Sequence, residues 1–381
     1  MTPRSVLIVG AGLAGSRCAE TLRAEGYDGR VVVVGEEPHA PYERPALSKE
    51  LLAGTRTSAE LRAPGFWAER GIELRLGERV EAVDVQRRTA GPGLAWDVLV
   101  LATGARARRI PLPTPGGVHV LRTLADAEAL REELRPGRRL AIVGAGFVGV
   151  EVASTARSLG CEVSVVDVAE VPLERVLGRE VGEMLAARYR SYGVDLRLGT
   201  GLAGFVAGAD GRVRALELAD GSELPCDAAL VAVGVAPEVE LHGDARGGIE
   251  TDACGRTALP GVYACGDVAA AWRPSLGARL RVEHWTSAAG QAAAVAHAIL
   301  GRERPYDDLP YFWSDQFGLR LQHVGHAHEW ASVELEGDES SFAARYLDHA
   351  GRPLAGLLAN RPREVGLLRR ELAGAARREA A

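Results

Sequence analysis

Residues Ser5–Gly35 read SVLIVGAGLAGSRCAETLRAEGYDGRVVVVG, and this stretch decides the fold. Ser5–Val9 is a short apolar run of the kind that forms a strand buried on both faces. It leads directly into Gly10-x-Gly12-x-x-Gly15. Leu13 to Glu25 then reads as a helix ending at Gly26, and Arg30–Val34 reads as a second strand. Glu36 follows the last glycine at about the 20-residue spacing of a dinucleotide-binding unit. The glycines allow a tight turn and bring a pyrophosphate close to the helix N-terminus, where the helix dipole favours an anion. The carboxylate of Glu36 is placed to accept ribose hydroxyls.

The unit occurs twice. Arg139–Val143 is a strand, Gly144-x-Gly146-x-x-Gly149 the loop, Val150–Leu159 the helix and Cys161–Val166 the second strand, closed by Asp167. An acid at this position favours the free 2'-hydroxyl of NAD over the 2'-phosphate of NADP, and no basic residue follows until Arg175. NADH is the expected nicotinamide cofactor.

Around these units, Ser58–Arg70 is expected to be helical and Gly71–Val85 to form a strand pair. Trp96–Gly104 is a buried strand ending in the small-residue turn Ala102-Thr103-Gly104. Arg106–Gly117, with three prolines, reads as a linker. Leu124–Leu134 and Val181–Tyr192 are helices, Val213–Leu224 a hairpin turning at Asp220-Gly221, and Ala228–Gly234 a strand ending at glycine. Gly261–Asp267 is a strand that brings Gly266 and Asp267 toward a cofactor, and Ala288–Leu300 is an alanine-rich helix. The aromatic-rich remainder forms a third, smaller domain. The expected fold is α/β, with two Rossmann-like dinucleotide-binding domains (three-layer ββα) and a small α+β C-terminal domain. Its divisions are 1–115 (first part of the first dinucleotide-binding domain), 116–235 (the NAD domain), 236–301 (second part of the first) and 302–381.

The chain has 381 residues, 47% of them hydrophobic and 25% charged, with a net charge of -6. That balance gives no reason to expect nucleic-acid binding. No apolar run is long enough to span a bilayer, and the first strand begins too early to leave room for a signal peptide. Five scattered cysteines without metal-ligand spacing suit a reducing cytoplasm. His323-x-x-His326-x-His328 lies on an expected surface strand and turn, and is read as solvated rather than as a metal site.

Two dinucleotides side by side imply electron traffic from nicotinamide to flavin. The chain resembles the FAD-dependent pyridine-nucleotide reductases of the glutathione-reductase type. Within them it is most similar to the ferredoxin reductases of the putidaredoxin-reductase and rubredoxin-reductase group. The resemblance rests on Gly10–Gly15, Pro41–Lys49, Ala102–Gly104, Arg122-Thr123, Gly144–Glu151, Gly261–Asp267, Glu283–Trp285 and the FWSDQ of Phe312–Gln316. Disulfide-reducing relatives carry a cysteine pair just after the first unit. Here that region is APYERPALSK, residues 40–49, with no cysteine, so electrons must leave the flavin for an outside acceptor.

The resemblance implies FAD contacts from Ala14, Glu36, Arg44, Lys49, Val80, Arg122, Asp267 and Trp285, with Trp313 as a second wall of the flavin pocket. Lys49, the only lysine in the chain, is expected to pair with Glu151 beside flavin N5. The partner implied is a small iron-sulfur ferredoxin that feeds an oxygenase. The segment Arg361–Ala381, with six arginines against three glutamates, is a candidate docking face for an acidic one. An oxidase or quinone reductase without a protein acceptor, and an NADH-sensing interaction protein like apoptosis-inducing factor, are the alternatives.

Overall fold

The structure, a computed structural model, describes residues 3–91, 93–243 and 247–379. β1 (Ser5–Val9) pairs in parallel with β2 (Arg30–Gly35) on one side and β4 (Val98–Leu101) on the other. β3 (Ile72–Leu76) and β10 (Val262–Ala264) complete a parallel sheet of order β10-β4-β1-β2-β3. The apolar run of β1 has no polar face because both faces are covered. Val6 and Ile8 pack toward α1 (Leu13–Ala24) and α5 (Trp285–Ile299), while Leu7 and Val9 face the small antiparallel meander around Ala90 and Leu94.

The second unit repeats this plan. β6 (Arg139–Val143) is central in a parallel sheet of order β8-β7-β6-β9-β5, with β7 (Glu162–Asp167) and β8 (Val194–Leu198) to one side. β9 (Ala228–Val231) and β5 (Val118–His119) lie to the other. Helices α3 (Phe147–Ser158) and α4 (Glu174–Ser191) cover one face, and the hairpin expected at Val213–Leu224 belongs to a three-stranded meander covering the other.

The third domain is an antiparallel sheet of order β11-β12-β15-β14-β13, made from β11 (Tyr311–Gln316), β12 (Leu319–Gly325), β13 (Ser332–Asp338), β14 (Ser341–Leu347) and β15 (Pro353–Ala359). The C-terminal helix α6 (Val365–Glu379) packs Leu368 and Leu372 on one face of it, against Val324, Ala343 and Leu358. Leu321, Phe342, Ala344 and Leu357 on the other face join the core of α3 and α4.

Several local expectations change. Ser58–Arg70 is helical only over Phe66–Glu69, since Pro64 and Gly65, the latter at φ +87, forbid an earlier start. Gly71–Val85 is not a strand pair: residues 72–76 join β2, while Val83–Asp84 pairs with Thr89–Ala90. The proline-rich linker begins with a short strand, Ala105–Ala107, paired antiparallel with Val235–Pro237. The chain therefore enters and leaves the second unit through one two-stranded ribbon. His323 is not solvated. It lies inside the third domain at 5% exposure, stacked on Phe312 with ring centroids 4.9 Å apart, and burial pushes its imidazole down to about 3.

Candidate functional site

The two glycine loops are copies of one device. Gly10 and Gly144 stand at φ +114 and +112, where a side chain would strike the carbonyl oxygens of Ala102 and Ala232 respectively. A Cβ on Gly15 would meet Gly10 O, and one on Gly149 would meet Gly144 O. Gly12 and Gly146 have open space where a Cβ would stand. Each caps its helix without a side chain, and neither helix has an acid among its first four residues, so the leading N–H groups of α1 and α3 remain available to an anion.

Above the first loop lie two adjoining cavities, of about 270 and 640 Å³. Gly12, Tyr42, Arg44, Thr103 and Arg122 line both. The larger runs from Gly10 to Glu36 and Val80, and the smaller from Ala14 past Ala102, Gly104, Gly266 and Asp267 to Lys49, Glu151, Trp285 and Trp313. They sit at the C-terminal ends of β1 and β4, where the strand order reverses, the usual ligand position in an open parallel sheet. The run from an acid, past a bare helix N-terminus, to an aromatic pocket with one cation fits an extended dinucleotide.

Glu36 is exposed at the outer end and paired with Arg79 at 2.8 Å. Arg122 and Asp267 come together at 2.8 Å in the middle, and the Arg122 carbonyl accepts from the Arg44 guanidinium. Arg44 is held in turn by Glu37 at 2.8 Å and Tyr42. At the inner end Lys49 Nζ lies 2.6 Å from Glu151 Oε2, with side chains only 14% and 8% exposed. Trp285 and Trp313 meet edge to face at 6.3 Å. His284 lines the same pocket, and burial pushes its ring down to about 4. No cysteine lines either cavity, and all five thiols are free and buried, Cys265 being pushed up to about 12 by burial.

The second loop is barer. Val148, Val168 and Val233 are 42%, 69% and 39% exposed beside it, and Gly234 is exposed too. Asp167 faces its own loop, accepting from Ala145 N–H at 2.6 Å and Ala169 N–H at 2.9 Å. Among the tail arginines, Arg361 is bound to Glu336 at 3.0 Å and Arg369 lies over the Tyr311 ring at 4.7 Å. The end of the tail, residues 380 and 381, falls outside the described residues.

Sequence reasoning passed over Glu37 and Tyr189, and took Tyr42, Ser48, Ser314 and Gln316 only as parts of motifs. Ser48 and Ser314 both donate to Glu151, at 2.6 Å each. Their polarity inside the otherwise patterned stretches APYERPALSK and FWSDQ was the available signal.

The family model for pyridine nucleotide-disulphide oxidoreductases matches residues 4–292, and that for the reductase C-terminal domain matches residues 311–381. The ferredoxin–NAD(+) reductase component of the anthranilate 1,2-dioxygenase system of Burkholderia cepacia is 38% identical over 99% of this chain and 96% of its own. The corresponding component of the biphenyl dioxygenase system of Paraburkholderia xenovorans (strain LB400) is 38% identical over 88% and 85%. Among solved structures, the covalent putidaredoxin reductase–putidaredoxin complex superposes with a TM-score of 0.93 at 34% identity, over 97% of this chain and 93% of that one. The ferredoxin reductase for the CYP199A2 system of Rhodopseudomonas palustris superposes with a TM-score of 0.89 at 36% identity, over 94% and 91%.

Proposed function

The chain belongs to the pyridine nucleotide-disulphide oxidoreductase family, and we propose that it is a cytoplasmic, NADH-dependent, FAD-containing ferredoxin reductase that supplies an oxygenase. The observation that carries this reading is the inner end of the first site. It sets a buried lysine–glutamate pair in one cavity with two tryptophans, and no thiol lines that cavity to receive electrons.

A flavin held here would supply hydride acceptance from NADH and release of single electrons, chemistry for which the side chains have no substitute. The protein's own residues bind and orient. Gly10, Gly12, Ala14 and Gly15 bring the N-terminus of α1 to the FAD pyrophosphate, assisted by the Arg122 and Arg44 cations, with Glu36 and Val80 at the adenosine end. Ala102, Thr103, Gly104, Gly266 and Asp267 form the floor, and Trp285 and Trp313 exclude water from the ring end. Lys49, held by Glu151, places one positive charge where negative charge gathers on reduction. Gly144, Gly146, Gly149, Asp167 and Gly234 would receive NADH at the exposed second loop.

Residues 167–174 contain Asp167, Glu170 and Glu174 and no base, which supports NADH over NADPH. An acidic ferredoxin is supported by Arg363 and Arg370 of the C-terminal segment, while Arg361 is already neutralised. We divide the chain into a FAD domain (1–115 and 236–301), an NAD domain (116–235) and a C-terminal domain (302–381).

Anaerobic stopped-flow reduction with NADH and NADPH in parallel, followed by mixing with iron-sulfur ferredoxins, tests the reading. NADH is expected to reduce the flavin faster, and a ferredoxin to reoxidise it. Rapid turnover with oxygen or quinone, indifferent to every ferredoxin, would overturn it.

A further inference from the structure

Glu151 of the second unit, 7% exposed, is held by side chains from the first unit and from the third domain. Its Oε2 meets Lys49 Nζ and the Ser48 hydroxyl, both at 2.6 Å. Its Oε1 accepts from the Ser314 hydroxyl of the third domain, also at 2.6 Å. Behind Ser314 the row continues. Gln316 Nε2 donates to Ser314 Oγ at 3.0 Å, and Gln316 Oε1 accepts the hydroxyl proton of Tyr189 on α4. Ser314, Gln316 and Tyr189 are 0%, 2% and 1% exposed, so water does not compete with this row.

Every donor in the row points the same way, toward Glu151. Because Gln316 Nε2 occupies a lone pair of Ser314, the Ser314 proton is left for the carboxylate. The opposite amide orientation would draw that proton to Gln316 and turn a lone pair against Glu151. Hydrogen bonds aligned in series strengthen one another, and a buried carboxylate that loses one of its donors is costly. Lys49, by contrast, carries its charge on a long flexible stem, held otherwise by the Pro45 carbonyl at 3.2 Å and a long 3.4 Å contact to Ser48 Oγ.

We propose that Ser314, backed by Gln316 and Tyr189, is a positioning residue that fixes the Glu151 carboxylate and through it the direction of Lys49. The third domain thereby sets where the chain's one lysine points. This rests on the proposed place of Lys49 at the flavin.

Lys49 is the only lysine, so holoenzyme carrying 15Nζ-labelled lysine gives a single side-chain NMR signal that needs no assignment. Ser314→Ala is expected to move that signal, to speed exchange of the ammonium protons with water, and to slow flavin reduction by NADH about tenfold with the KM for NADH unchanged. Tyr189→Phe is expected to move the signal in the same direction by less. Ser332→Ala, on an exposed position of the same domain, is expected to leave all three readouts at their wild-type values. A Lys49 signal and exchange rate in Ser314→Ala equal to wild type would overturn the proposal. If that variant does not fold, an unmoved signal in Tyr189→Phe overturns it. Neither readout involves a protein acceptor, so failure to reduce any ferredoxin would defeat the proposed function and leave this inference standing.

Discussion

The two nucleotide units share a backbone and differ in what surrounds it. Gly10 and Gly144 have φ values of +114 and +112, and their strand-to-loop hydrogen bonds, Gly10 N–H to Val34 O and Gly144 N–H to Val166 O, are both 2.8 Å. Over the first loop, however, side chains from elsewhere close in: Arg122 from the segment before α2 (Leu124–Glu133), Glu151 from α3, and Trp285, Phe312 and Trp313 from α5 and the third domain. Over the second, valines stand exposed. The loop geometry selects a dinucleotide. Retention or exchange of that dinucleotide is decided by the cover.

The largest test of this comparison exchanges the loop glycines. Gly10→Ala and Gly144→Ala each force a Cβ onto a carbonyl oxygen at a left-handed φ, and each is expected to cost more than about 4 kcal/mol locally. Gly10→Ala should yield protein without FAD. Gly144→Ala, in the open unit, should keep FAD through gel filtration and lose NADH binding. Equal loss of FAD from both would break the comparison.

Lys49→Ala strikes where the units touch. It leaves Glu151 buried with hydroxyl donors and no cation, and is expected to lower stability by about 3 kcal/mol or more in chemical denaturation. FAD should stay bound while its reduction by NADH slows. Unchanged stability and reduction rate would remove Lys49 from its assigned role.

The cover itself should loosen in acid. His323 has its folded value depressed to about 3 against an ordinary 6.5, so above pH 6.5 it is neutral folded or unfolded and costs nothing. As the pH falls from 6.5 toward 3, the unfolded chain takes up a proton that the folded one refuses, and stability is lost. At pH 5 that amounts to about 2 kcal/mol. FAD release should rise between pH 7 and pH 5, and His323→Phe should flatten that slope. A slope identical in the variant would show that other groups govern it.

Asp167→Ala confines its effect to the open unit. The KM for NADH is expected to rise about tenfold with kcat little changed, and discrimination against NADPH to narrow. A fall in kcat alone would place Asp167 in the reaction rather than in binding.

The sequence carried much of this because the glycine loops are governed by local sterics: a left-handed φ followed by a close approach is written in the residues themselves. Lys49 and Glu151 each stood out, as a solitary lysine and a glutamate near the start of a helix, but their pairing was implied only by the family resemblance and the contact itself is a feature of the structure. Side-chain environment was harder to read. His323 sits on a strand whose alternation resembles that of an edge, yet both faces of its sheet are covered, one by α6 and the other by α4. Gly71–Val85 alternates properly, but pairing is decided by the partner, and β2 offered a free parallel edge. Ser314 and Gln316 are ordinary polar residues until Tyr189, distant in sequence, is folded against them.

The ribbon formed by Ala105–Ala107 and Val235–Pro237 makes the second unit a cassette. Its entrance and exit lie side by side in one seam, so the host sheet closes around β1, β4 and β10 whichever module occupies the interval. A foreign nicotinamide-binding module with adjacent ends could be spliced there without lengthening either crossing, and electron donors could be exchanged by grafting at one joint.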